Sequence, residues 1–199
     1  MGKLFDLSRI DDDLIVLDDF ESRAISEADG NLVELGKMNE EVEKVFSQID
    51  LTRNTHFVTC GNWSSHDLLC YLLQKTGPAD VLIATWSMSE PAALKLFNLL
   101  ENRLIKSLRG VIDWRVKNRH PAAFQLSQSL FAQLYLTTCH AKVTVIMNDD
   151  FNICINGSAN YTNNPRIEAG VISVARSVAE FHASWITGLL SKSKPFELG

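Results

Sequence analysis

The chain has 199 residues, 46% of them hydrophobic, and a formal net charge of −5. That length suits one domain, and the apolar content can build a sizeable core, so disorder is excluded as the default state. No run reaches ~18 uninterrupted apolar residues, which excludes an ordinary membrane-spanning helix.

In chain order, the segment up to about Gly36 holds one short candidate strand, "DLIVLDDF", and a turn region, "EADGNLVELG". Val42, Val45, Phe46 and Ile49 then fall at i, i+3, i+4 and i+7, and so predict a short amphipathic helix. "THFVTCG" predicts a strand. "SSHDLLCYLLQKTG" predicts a helix with a serine cap and with Gly77 just past its end. "ADVLIATWS" predicts a buried strand. "SEPAALKLFNLLENRLIKSLRG" predicts one long helix, started by Ser89 and an early proline and closed by Gly110. "GVIDWRV" predicts a strand and "PAAFQLSQSLFAQL" a helix. "AKVTVIM" and "FNICING" predict two strands joined by the turn "NDD". "AGVISVA" predicts a further strand, and "SVAEFHASWITGLL" a closing amphipathic helix. Strands alternating with helices imply a layered α/β fold. Its sheet is mixed, because the hairpin is antiparallel and the helical crossovers suggest parallel pairs.

The charge is unevenly spread. Residues 1–50 carry 14 acidic and 5 basic side chains, whereas residues 51–199 carry 10 acidic and 14 basic. An acidic leader of −9 therefore hides a body of +4. The leader either lies over the body and competes with an anionic ligand, or it only solubilises the protein. Arg103, Lys106, Arg109, Arg115, Lys117 and Arg119 crowd into 17 residues, opposed by Asp113 alone. This cluster attracts a phosphate backbone or is a solvated helix end. The start of the chain turns acidic at once, unlike a signal peptide, and Asp6 stands where myristoylation wants Ser or Thr. Four widely spaced cysteines, Cys60, Cys70, Cys139 and Cys154, form no metal or redox motif and read as reduced, mostly buried thiols. A cytoplasmic location follows as the expectation.

The chemistry concentrates between Cys139 and Gly170. Residues i and i+2 of a strand share a face, so His140 and Lys142 point the same way. Ser158 and Asn160 follow the second strand of the hairpin, which brings them back beside His140 and Lys142. An imidazole, an ammonium, a hydroxyl and an amide converging on a small volume suit a tetrahedral anionic group such as a phosphoryl centre. Glu168, at the start of the next strand, can accept the proton of one imidazole nitrogen and leave the other aimed at substrate. Singly, each residue has an ordinary explanation; their order on elements that bring them together is what carries the signal.

The pattern H-x-K…G-S-x-N, here His140, Lys142, Gly157, Ser158 and Asn160 with the downstream Glu168, resembles the HKD signature of the phospholipase D superfamily. It is most similar to that of the small single-motif bacterial phosphodiesterases and nucleases. The resemblance implies a phospholipase D-like layered α/β/α sandwich with a mixed sheet. It divides the chain into an acidic N-terminal segment, residues 1–50, that either packs on the body or stays apart from it, and a catalytic domain, residues 51–199. One departure stands out: Met147 occupies the place of the family's aspartate five residues after the lysine, so Asp149 or Asp150 is expected to replace it in a longer turn.

With one motif per chain, the resemblance implies a homodimer whose two-fold axis crosses the catalytic cleft. One His140 attacks phosphorus and the other protonates the leaving oxygen. Lys142 and Asn160 hold the non-bridging oxygens, Ser158 orients the network, and Glu168 fixes the histidine tautomer. No metal or other cofactor is implied. The substrate expected is nucleic acid, contacted by Arg115, Lys117, Arg119 and His120. The rivals are a catalytically silent module that grips phosphates, a phospholipase, and an unrelated α/β protein with a chance motif. Trp63, Trp86, Trp114 and Trp185 read as core or cleft wall rather than base-stacking platforms. His66, near a helix start, either touches phosphate or, as the plainer reading, caps the helix or faces solvent, and His56 and His182 carry no signal.

Overall fold

The computed structural model describes residues 22–26, 33–35, 40–61, 63–163 and 165–192. They form strands β1 (Ser22–Ser26), β2 (Val33–Leu35), β3 (Thr55–Thr59), β4 (Ala79–Thr85), β5 (Ile105–Asp113), β6 (Gln133–Thr137), β7 (Val143–Met147), β8 (Asn152–Gly157) and β9 (Glu168–Ser173). The helices are α1 (Glu40–Val45), α2 (Ser65–Thr76), α3 (Glu90–Glu101), α4 (Val116–Arg119), α5 (Pro121–Leu130) and α6 (Arg176–Leu190). The strands join one mixed sheet in the order β2-β1-β3-β9-β8-β7-β4-β5-β6. β4, β5 and β6 run parallel, and the remaining neighbours pair antiparallel.

Alternation along the central strands sorts side chains onto two faces. Val81 and Ile83 of β4, with Leu108 and Ile112 of β5, pack against α2 and α3 through Leu69, Leu72, Ala92 and Leu96. Leu82, Ala84, Val111, Val145 and Cys154 face the opposite way and meet Ala179, Ile186 and Leu190 of α6. The result is the expected α/β/α sandwich. Residues on both sides of position 50 share the first core: Val42, Val45 and Phe46 are buried beside Phe57, Trp63 and Tyr71. The Tyr71 hydroxyl donates to the carbonyl of Phe46 at 2.5 Å. The candidate strand in "DLIVLDDF" lies outside the described residues. β2 falls within the stretch expected to be a turn.

Two expectations are corrected. The long helix ends at Glu101, and Arg103 adopts a left-handed backbone (φ 56) before β5 begins at Ile105. "RLIKSL" carries helix-like spacing, but Ile105, Ser107 and Leu108 pair with β4, and that pairing decides its conformation. Likewise α5 stops at Leu130, and Gln133–Thr137 becomes the edge strand β6, its Leu134 and Leu136 packing on one core and Tyr135 on the other. No helix among the described residues is long and apolar enough to cross a membrane.

Candidate active site

The strand directions collect the chemistry at one edge. β3, β4, β5, β6 and β8 end there, and β7 and β9 begin there. The register puts Thr59 opposite Glu168, Val143 opposite both Ala84 and Asn156, and Gly157 opposite Gly170. Such an edge, with loops leading to helix starts, is where open α/β sheets bind ligands.

His140 lies just before β7 and is exposed. The Lys142 ammonium sits 3.1 Å from its Nδ1 and 3.3 Å from its Nε2, and donates to the His140 carbonyl at 2.8 Å. Burial lowers the Lys142 pKa from its usual value, opposed by the Glu168 carboxylate. On the neighbouring strand, the Gly157 N–H donates to the Lys142 carbonyl at 3.2 Å. A Cβ at Gly157 would stand 2.8 Å from the Ala169 carbonyl oxygen, so only glycine lets β8 approach β9 here.

Ser158 is tied to β9: its N–H donates to the Ala169 carbonyl, its Oγ accepts the Ala169 N–H at 3.0 Å, and its hydroxyl donates to the Glu168 carboxylate. Within the chain, Glu168 therefore engages Ser158, and no hydrogen bond joins it to the His140 ring. The partner the structure gives this carboxylate is the Ser158 hydroxyl, which the Ser158–Ala169 hydrogen bonds hold beside it. Asn160 accepts from the Thr85 hydroxyl at 3.4 Å. The following residue, Tyr161, is fully buried, and its hydroxyl meets that of Thr144 at 2.6 Å. Ser65, at the start of α2, donates to the Ala159 carbonyl at 3.0 Å. The Gly-Ser-x-Asn loop is thus anchored to β4, β7, β9 and α2. His140, Lys142, Ser158 and Asn156 line an open cleft of about 570 Å³, closed on one side by His182 and Trp185 of α6.

A second group adjoins His140. The Trp86 ring centroid lies 5.6 Å from that of His140. The guanidinium carbons of Arg115 and Arg119 lie 5.8 and 5.1 Å from the Trp86 centroid. Arg115 is the N-cap of the single-turn α4 and Arg119 its last residue, and an i, i+4 spacing puts them on one side. Arg115 forks onto buried Asp113 through Nε (2.6 Å) and NH2 (2.8 Å), whereas Arg119 is exposed and has no carboxylate partner among the described residues. The Arg115 guanidinium holds the Asp113 carboxyl well below the usual carboxylate range. Lys117 turns instead toward the Phe124 ring, 5.8 Å away, and His120 occupies the N-cap position of α5 without a side-chain capping bond.

The six-residue basic cluster is split by β5. Arg103 and Lys106 sit at the strand's start, ~25 Å from Asp113 at the rise of an extended chain, while Arg115 and Arg119 reach the site. Asp149 and Asp150 follow Met147, the last residue of β7, in the turn where the replacement is expected. They lie at the far end of the β7–β8 hairpin, where Asn148 Oδ1 accepts the N–H groups of Asp150 and Phe151, and Asn148 Nδ2 donates to the Thr76 carbonyl. His66 is neither solvent-facing nor at the cleft: it is buried against the Ser64 hydroxyl, and burial lowers its pKa. Sequence reasoning missed Asp113 and His182, and read Trp86 and Trp185 only as core or cleft wall. Asp113 left a trace as the lone acid within the basic cluster, and His182 left none.

No protein-family model matches the sequence, and no curated protein matches it. Solved structures do. NucT from Helicobacter pylori superposes with a TM-score of 0.53 at 18% identity, covering 69% of this chain and 95% of that one. Nuc from Salmonella typhimurium, a phospholipase D family member, gives 0.50 at 17% identity, covering 71% and 97%. Polyphosphate kinase from Porphyromonas gingivalis gives 0.55 at 10% identity, covering 79% of this chain but 30% of its own. The architecture is an α/β sandwich built on a mixed sheet. More particularly, it is the phospholipase D-like fold.

Proposed function

We propose that this chain is a phosphodiesterase acting on nucleic acid through a phosphohistidine, in a site shared by two copies. The observation that carries the reading is the convergence of His140, Lys142 and Ser158 on one open cleft, at the edge of a phospholipase D-like sheet. An unprotonated ring nitrogen of His140 attacks phosphorus, and the P–N bond forms as the P–O bond to the leaving group breaks. The protonated His140 of a second copy gives its proton to the leaving oxygen. Water then attacks the phosphohistidine, that second histidine takes the water's proton, and the P–N bond breaks. Lys142 and Asn160 hold the non-bridging oxygens, and Glu168 acts through Ser158, which it orients. Arg119, Arg115, Lys117 and His120 guide the adjoining backbone, with Arg119 offering a guanidinium that has no carboxylate partner among the described residues. Nucleophile, acid and oxyanion donors are all side chains, so the scheme calls for no metal.

A catalytically silent, phosphate-gripping module is the second reading. It is favoured by the displaced aspartate, with Met147 in its place, and by the commitment of Glu168 to Ser158. One experiment separates the two. Plasmid DNA and phosphatidylcholine vesicles are each incubated with the protein in excess EDTA, alongside His140→Ala. The enzyme reading expects DNA cleavage that falls at least about 1000-fold in the variant. Equal cleavage by both proteins, with weaker DNA binding by the variant, selects the silent module. Cleavage of lipid alone makes the chain a phospholipase. Sedimentation at assay concentration tests the dimer.

A further inference from the structure

The cleft has a wall that the scheme above does not use. His182 and Trp185 stand one turn apart on α6, on the side adjoining the buried stripe of Ala179, Ile186 and Leu190 that fixes this helix to the sheet. The Trp185 indole nitrogen lies 3.0 Å from Nδ1 of His182. An indole N–H is only a donor, so Nδ1 must carry a lone pair, and the neutral ring holds its proton on Nε2. Protonating Nδ1 would set two N–H groups against each other. Nε2 has no hydrogen-bond partner among the described residues. The Phe181 ring stands edge-on to the imidazole (centroids 5.1 Å apart, 84° between planes), which limits its rotation. Burial also lowers the His182 pKa, keeping the ring in the neutral form.

We propose that His182 and Trp185 form a nucleotide-binding subsite beside His140, in which Nε2–H of His182 donates to a phosphodiester oxygen of the substrate and the Trp185 ring walls the attached nucleoside. This rests on the nucleic-acid reading above. The cleft volume of about 570 Å³ lies within the range of small-ligand sites. An aromatic wall accepts any base, because every base has a π-face. A nucleobase presents a flat π-face to that wall, which favours an oligonucleotide. The role of His182 is binding, distinct from the attack and proton transfer assigned to the two His140 rings.

The test uses the full chain and a fluorescein-labelled oligothymidylate of about ten residues, with Kd read by anisotropy and kcat and KM by cleavage. His182→Phe keeps a ring but removes the donor, and His182→Gln restores an N–H near the Nε2 position. The Phe variant is expected to weaken Kd and raise KM about 10-fold, with a much smaller fall in kcat, while the Gln variant stays within about 3-fold of wild type. Trp185→Leu weakens Kd about 10-fold as well. The proposal is overturned if the Phe variant binds like wild type, or if the Phe and Gln variants lose affinity equally. It is also overturned if either position proves to hold a dimer together, seen as dissociation in sedimentation, since the occupant is then a second copy. A wild type that binds the oligonucleotide through His182 yet cleaves nothing leaves the subsite standing and removes only the catalytic reading.

Discussion

The Asp113 carboxylate accepts the backbone N–H of Cys139, the residue before His140, at 3.0 Å. The same carboxylate accepts both guanidinium bonds of Arg115, which lies against Trp86 beside the His140 ring. One buried acid at the end of β5 therefore positions both the segment that presents the histidine and the cation next to it. Asp113→Ala should cost about 2–3 kcal/mol of stability, less than a fully buried pair because the Arg115 side chain is 37% exposed and solvent screens it. Phosphodiester hydrolysis should fall about 10- to 100-fold through misplacement of His140. Urea unfolding and steady-state rates check both; an unchanged rate would separate Asp113 from the site.

Asp113 also predicts a pH dependence. Its folded pKa is depressed by Arg115, so its contribution is fully present above the unfolded value of ~3.9 and is lost as pH falls through the folded value. The stability difference between wild type and Asp113→Asn should be constant near neutrality and shrink on acidification below about pH 4. Urea midpoints at pH 7 and pH 3 measure it. A difference that persists undiminished at pH 3 would refute the assignment.

Tyr161 and Thr144 share a buried hydroxyl–hydroxyl bond beneath the Gly-Ser-x-Asn loop. Thr144→Val strands the Tyr161 hydroxyl and should cost about 1–3 kcal/mol. Tyr161→Phe in that background removes the stranded group, so the double variant should recover part of the loss. Additive losses in a denaturation cycle would show that the two hydroxyls are not coupled.

Gly170 meets its neighbours more tightly than any side chain allows. A Cβ there would stand 2.6 Å from Phe57 Cζ and 2.8 Å from the Asn156 carbonyl oxygen. Gly170→Ala should destabilise by about 1–3 kcal/mol and lower activity by moving β8 against β9. Gly188→Ala on α6, where nothing lies within 4 Å, should instead stabilise by about 0.5–1 kcal/mol. Thermal melts of the two variants moving in the same direction would contradict this account.

Cys154 is fully buried under α6, and burial pushes its thiol up to about 12. It should resist a thiol reagent at pH 8 in the native protein and react on unfolding. Peptide mapping of the labelled native chain should find label at the part-exposed Cys60 and Cys70 first. Early label at Cys154 would mean that the α6 layer opens readily.

The local chemistry was legible because its grammar is local. His140 and Lys142 share a direction through the period of a strand, and the short β7–β8 hairpin returns Ser158 and Asn160 to the same end. Burial patterns disclosed β4, β7, β8 and the amphipathic faces of α2 and α6. They failed at "RLIKSL" and "AQLYLT", whose spacing satisfies a helix until β4 and β5 offer pairing partners.

What the sequence determined by itself was the α/β alternation and the motif's own side chains, since both depend on residues a few positions apart. Tertiary structure alone decided that Asp113 and His182 would join the site, and that Trp86, Arg119 and Trp185 would take their places around His140. The physical reason is strand order. Inserting β4 between β7 and β5 brings distant loops to one sheet edge, and laying α6 across the sheet behind them closes the cleft. Those contacts are stabilised by burial between elements far apart in the chain, which no short-range period encodes.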